Sequence, residues 1–140
     1  MLRVGLIGCG GIGAVHANVW MILKEKAQLV AIADFDTQKA EEIAAKCGAT
    51  VYKDAEEMMQ KEQLDLVDIC LPTFLHTDFV IKATKYVKNV IVEKPICLHE
   101  EEAERLLKAE QETGALIQVG QVLRFAEPYA YLKKVVDSGK

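Results

Sequence analysis

The chain has 140 residues, 51% of them hydrophobic and 27% charged, with a formal net charge of −4; this is one domain's length and enough to bury a core without staples. No run of Lys or Arg exceeds a pair, which excludes the basic footprint of a nucleic-acid binder, and the acidic balance excludes attraction to an anionic membrane surface. No apolar run approaches membrane-spanning length, and no charged leader or cleavage site precedes the first apolar run, so the expected location is cytoplasmic.

In chain order, Leu2 to Ile7 reads as a buried strand, and Ile12, Val15, Val19 and Leu23 then recur at helical spacing. Leu29 to Ala33 is a second apolar run, and Ala40, Ile43, Ala44 and Cys47 mark a second helix closed by Gly48. Thr50 to Tyr52 is a short strand, and Asp54 is placed to cap an acidic helix through Gln60. Leu64 to Leu71 is a strong strand ended by Pro72, with Phe79, Val80, Ala83 and Val87 marking the helix beyond it. Asn89 to Val92 is the fifth strand. Glu100 to Thr113 is a helix with three glutamates in its first turn and Gly114 at its end. Leu116 to Val119 is the sixth strand, and a last helix, Glu127 to Ser138, carries Leu132, Val135 and Val136 on one face. Strand and helix alternate six times, and the strands read as continuous apolar runs. That order predicts an α/β, doubly wound, mainly parallel six-stranded Rossmann sheet with helices on both faces.

The segment Gly8-Cys9-Gly10-Gly11-Ile12-Gly13 is a G-x-G-x-x-G match that leaves a strand and opens a helix, the context that makes the motif specific. Gly8 permits the tight turn, Gly10 lets backbone approach a pyrophosphate, and Gly13 lets the helix pack against the sheet. The helix N-terminus, from Gly11 and Ile12 onward, offers free N–H groups and a positive dipole end to phosphates. Asp34 ends the second strand 21 residues after Gly13, where the fingerprint places a carboxylate for the adenosine ribose hydroxyls. It would repel a 2′-phosphate, and Phe35 stands where an arginine would otherwise accept one, which favours NAD over NADP. The alternative for Asp34 or Asp36 is to cap the second helix, and Asp36 suits that task better.

In an open α/β sheet ligands bind beyond the carboxyl ends of the strands. Pro72, Thr73 and His76 follow the fourth strand there, and Glu93, Lys94 and Pro95 follow the fifth, both facing the nicotinamide half of a cofactor. The three histidines lack metal-ligand spacing, and Cys9, Cys47, Cys70 and Cys97 form no C-x-x-C pair. No metal is expected, and the cysteines read as small buried hydrophobes in a reducing compartment.

Five segments, GLIGCGGIGAVHA, AIAD, DICLPTFLH, VIVEKP and VGQVLRFAEPY, resemble in order and spacing the N-terminal domain of the glucose–fructose oxidoreductase, inositol dehydrogenase and MocA family. The glycine fingerprint is shared by many dehydrogenases, and the EKP segment is the most specific of the five. The resemblance implies hydride transfer between NAD(P) and a hydroxyl or keto carbon of a sugar- or cyclitol-like substrate. It implies that Lys94 is the catalytic lysine beside the nicotinamide, with Glu93 and Pro95 shaping its turn. It places Pro72, Thr73 and His76 around the nicotinamide ribose, although His76 fits the first turn of the next helix equally well. His16 also matches a family position and reads as structural; His99 reads as an exposed residue at a helix start. Arg124 and Phe125 match the segment leading out of strand six, where Arg124 could approach substrate or a domain junction.

Two departures stand out. The family's helix before strand five usually ends in glycine, whereas Lys85-Tyr86-Val87-Lys88-Asn89 stands here, so Asn89 or Lys88 is expected to take over the cap. The family's second domain, which supplies most substrate contacts and the sheet that often mediates oligomers, has no counterpart in residues 1–140. The chain is therefore expected to be the cofactor domain of a longer dehydrogenase, weakly active or inactive by itself, with a homo-oligomer allowed by the resemblance. The alternatives are a stand-alone NAD(H)-binding sensor or subunit, and a methyltransferase using S-adenosylmethionine, against which the EKP segment and the glycine spacing speak.

Overall fold

The apolar runs become strands because each is short, β-branched and bounded by turn residues. A computed structural model describes residues 1–139. Six strands, β1 (Leu2–Ile7), β2 (Ala27–Ala33), β3 (Thr50–Tyr52), β4 (Leu66–Ile69), β5 (Asn89–Val92) and β6 (Leu116–Val119), pair in the order β3-β2-β1-β4-β5-β6, and every pairing is parallel. The helices are α1 (Gly11–Ile22), α2 (Thr37–Cys47), α3 (Ala55–Lys61), α4 (Thr73–Ala83), α5 (Glu100–Thr113) and α6 (Glu127–Asp137), with a 3-10 turn at Val122–Phe125. The doubly wound parallel architecture expected from the alternation is the one observed. No helix among the described residues is long and apolar enough to cross a membrane.

Two cores form, one on each face of the sheet. On one, Ala17 of α1 and Ala40, Ile43 and Ala44 of α2 pack against Val4, Leu6, Leu29 and Ile32. On the other, Met58 of α3, Val80 and Ala83 of α4 and Leu106 of α5 pack against Ile7, Val67, Ile69, Val90 and Val92. Helix ends follow local rules: the Asp54 carboxylate accepts the Glu57 N–H at 2.8 Å, and Gly48 and Gly114 take the left-handed C-cap conformation. The Glu102 carboxylate accepts the Leu98 and His99 N–H groups at the exposed start of α5.

Two expectations change, and the α1 stripe shows a third feature of the packing. β4 is four residues long, shorter than the apolar run around it. The turn before β5 is capped by neither Asn89 nor Lys88: Thr84 ends α4, its N–H bonding Val80 and its hydroxyl bonding the Ile81 carbonyl at 2.9 Å. Asn89 opens β5, and Lys88 reaches the last carbonyl of α5 at Thr113, 2.9 Å away, a cation at a helix C-terminus. The periodic stripe of α1 also does not face the sheet. Ile12, Val15, Val19 and Leu23 are all exposed, and α1 buries Gly13 and Ala17 instead, because only small side chains allow so close an approach to β1. The apolar face of α6 is likewise open; that helix buries no residue.

Candidate functional site

The carboxyl edge of the sheet collects most of the residues singled out in the sequence. β1 runs into Gly8, which has φ +97°, and a Cβ there would lie 2.6 Å from the Cys70 carbonyl oxygen. A Cβ on Gly13 would stand 2.0 Å from the Gly8 carbonyl oxygen, so α1 rests directly on the turn. A Cβ on Gly10 or Gly11 would meet nothing within 4 Å. Gly10 is the N-cap of α1, and no side chain caps that end, leaving its first N–H groups open to an anion.

Asp34 lies at the end of β2 beside this turn. One carboxylate oxygen accepts the Cys9 N–H at 2.6 Å, and the other accepts the Asp36 N–H at 2.8 Å. Two anchored oxygens still leave lone pairs for further donors. Asp36 occupies the N-cap position of α2, but its carboxylate pairs with Lys39 at 3.0 Å and does not cap the backbone. The Lys39 bond holds the Asp36 carboxyl below its ordinary value. Burial, then the Asp34 charge, pushes the Cys9 thiol up to about 12. Cys9 and Cys70 are buried free thiols, while Cys47 and Cys97 are partly buried.

Beyond β4 and β5 lies the second half of the edge. Pro72 is the N-cap of α4 and Thr73 its first residue. His76 is 1% exposed on α4, its two ring nitrogens each 2.8 Å from a carbonyl oxygen, that of Pro95 and that of Leu71. It tethers the β4 exit to the β5 exit and has no nitrogen left for a ligand. Glu93 is buried, with one oxygen accepting the Lys94 N–H at 3.0 Å; Lys94 is exposed, and the Lys94–Pro95 peptide is cis.

The sequence reading missed the group that closes this half. Asp68 on β4 is 1% exposed; it accepts the Trp20 indole N–H at 2.7 Å and sits 2.9 Å from His16 Nδ1. His16 Nε2 lies 3.2 Å from Glu93 Oε1. The Asp68 hydrogen bond holds the His16 pKa above 6.5 against the opposing effect of burial, and the neighbouring carboxylate charges add to it. An acidic residue inside an apolar strand was the available signal. His16, Asp68 and Cys70 offer ligand atoms within 4.8 Å of one another, but burial raises the Cys70 thiol and the trio satisfies itself by hydrogen bonds.

His16, Glu93 and Lys94 line a cavity of about 650 Å³ whose apolar wall includes Ile12, Val15, Val19 and Phe125. The α1 stripe therefore faces this cavity. Arg124 is exposed on the 3-10 turn, outside the cavity lining.

The family model described as oxidoreductase family, NAD-binding Rossmann fold, matches residues 2–121. The chain is 34% identical to an inositol 2-dehydrogenase of Rubrobacter xylanophilus over 99% of its own length and 40% of that protein. The structure of a myo-inositol 2-dehydrogenase from Lactobacillus plantarum superposes with a TM-score of 0.91 at 31% identity, covering 99% of this chain and 41% of that one. That of the WlbA dehydrogenase from Bordetella pertussis, in complex with NADH and UDP-GlcNAcA, gives 0.93 at 27% identity, covering 99% and 42%. The chain thus spans about two fifths of the length of these relatives. An uncapped glycine turn at the sheet's switch point, an anchored carboxylate beside it and the match to residues 2–121 agree: the chain belongs to the oxidoreductase family with the NAD-binding Rossmann fold.

Proposed function

We propose that this chain is the cofactor-holding portion of a dehydrogenase that moves a hydride between NAD and a hydroxyl or keto carbon of a sugar- or cyclitol-like substrate. The observation that carries the reading is the uncapped N-terminus of α1 at Gly10 and Gly11, open to a ligand, with Asp34 fixed beside it. The backbone from Gly10 to Gly13, Ile12 included, receives the pyrophosphate, and Gly8 sets the turn that aims it. Asp34 uses its remaining lone pairs for the adenosine ribose hydroxyls and repels a 2′-phosphate. Pro72 and Thr73, at the β4 exit, border the nicotinamide half, while His76 acts from beneath by holding that exit to the β5 turn.

NAD, when bound, supplies or takes up the hydride. Lys94 is exposed at the cavity mouth on a turn braced by Glu93, where an ammonium can hydrogen-bond the reacting oxygen and help move its proton. One lysine does not complete an active site. Groups that orient the substrate belong to the remainder of a full-length protein, which accords with coverage of about two fifths of the relatives. The names of the relatives support an inositol- or sugar-like substrate. A cytoplasmic location and a homo-oligomeric state belong to the same reading.

Calorimetric titration of NADH and NADPH into the wild type and Asp34→Ala tests it. NADH binding falls in the variant and NADPH binding changes less. Equal losses for both would remove Asp34 from the ribose. In a chain of the relatives' full length, Lys94→Ala lowers turnover more than cofactor affinity; unchanged turnover would remove Lys94 from the chemistry.

A further inference from the structure

The buried group beneath the Lys94 turn is built unlike a packing contact. Asp68 and Glu93 are both buried carboxylates, and a buried carboxylate needs hydrogen-bond donors. His16 stands between them, Nδ1 at 2.9 Å from Asp68 and Nε2 at 3.2 Å from Glu93. With a carboxylate oxygen against each ring nitrogen, a ring that donates to both must be the imidazolium, the only form with two N–H donors. Glu93 passes the constraint on, since its second oxygen accepts the Lys94 N–H at 3.0 Å. Gly120 at the end of β6 closes the far side: a Cβ there would lie 3.2 Å from Glu93 Oε1.

We propose that His16 is a positioning residue: its doubly protonated ring bridges Asp68 and Glu93, and through Glu93 it fixes the turn that presents Lys94. The use made of Lys94 rests on the dehydrogenase reading; the clamp itself does not. Every element around the ring contributes to its balance. α1 supplies His16 and the Trp20 indole, β4 supplies Asp68 and the Cys70 thiol, and the β5 exit supplies Glu93 and Lys94. β6 and the turn after it bring Val119, Gly120, Val122 and Phe125 to the same cavity together with the neutral amides of Gln118 and Gln121, and none of these six carries a charge. Loss of the His16 proton leaves one donor for two carboxylates, so the link to Glu93 or to Asp68 opens and the turn loosens. The ring's raised pKa places that release on the alkaline side of 6.5.

Nuclear magnetic resonance on the chain tests the clamp directly. The His16 ring signals are followed with pH, beside the ¹⁵N relaxation of the Lys94 amide and the emission of Trp20, the sole tryptophan. As His16 loses its proton, the Lys94 amide order parameter drops from about 0.85 to below 0.6, and Trp20 emission changes with the same midpoint. His16→Gln offers its N–H donors from a single nitrogen, which cannot reach Asp68 and Glu93 on opposite sides; its Lys94 amide is loose at every pH, and its Trp20 emission no longer follows that midpoint. A Lys94 amide equally rigid on both sides of the His16 titration overturns the proposal, and this measurement needs only the wild-type chain. The two readings separate cleanly. A pH-dependent turn with full turnover in Lys94→Ala would keep the clamp and remove Lys94's chemistry, while the opposite pair of results would remove the clamp alone.

Discussion

One row of register partners crosses the sheet as Ile32, Leu6, Asp68, Ile91 and Gln118, from β2 to β6. The first three are buried, Ile91 is partly buried and Gln118 is exposed. The row on the opposite face, Ala33, Ile7, Ile69, Val92 and Val119, is buried through β5 and partly buried at β6. The difference lies in the helices: α1 and α2 cover β1 to β3, and no helix among the described residues packs over the same face of β5 and β6. The half that carries the glycine turn and Asp34 is finished by the chain's own side chains. The half that carries Lys94 keeps an apolar wall exposed.

The contrast is broken most severely at Gly13. A Cβ only 2.0 Å from a backbone oxygen has no flexible neighbour to displace, so α1 must lift off β1. Gly13→Ala should cost about 4 kcal/mol or more in urea unfolding, a size reserved for such backbone conflicts. A loss near that of an ordinary surface change would mean the turn is softer than it looks. The row of partners gives the next test. Ile32→Ala empties a site with 0% exposure and should cost about 2–4 kcal/mol, whereas Gln118→Ala should stay within about 0.5 kcal/mol. Similar costs would show that the open face is covered in solution. Gly10→Ala comes third: its Cβ meets nothing, so stability holds while NADH affinity falls about tenfold, equivalent to about 1.4 kcal/mol by calorimetry.

How far the sequence could be read follows the same division. The alternation of strand and helix, the Asp54 cap, the helix ends at Gly48 and Gly114 and the glycine turn depend on neighbours within a few residues, and all were legible. The stripe Ile12, Val15 and Val19 was legible as a helix face, but periodicity says nothing of what lies opposite. Gly13 and Ala17 take the sheet side because the approach is close, and the larger residues turn toward the cavity. Asp68 was passed over inside an apolar run, because its partners His16 and Trp20 lie 52 and 48 residues away in sequence. His76 joins Leu71 to Pro95, which lies 19 residues beyond it, a link that neither the ribose reading nor the cap reading contained.

A further test separates the two halves by pH. His16 binds its proton more tightly folded than unfolded, so its contribution to stability is full below pH 6.5 and is lost as pH rises through the higher folded value. Cys9 behaves alike in a different window: its thiol ionises near 9.0 when unfolded and at about 12 when folded. Between those values the unfolded chain alone sheds the proton, and stability falls again. Unfolding measured across pH should therefore decline in two steps, the first belonging to the clamp under Lys94 and the second to the groups raised in the alkaline range, Cys9 in the glycine turn and Tyr52 among them. His16→Gln should flatten the first step and leave the second, and Cys9→Ala should weaken the second and leave the first. A single step abolished by either substitution would mean that the two halves titrate as one unit, and the division drawn from the sheet would not extend to its electrostatics.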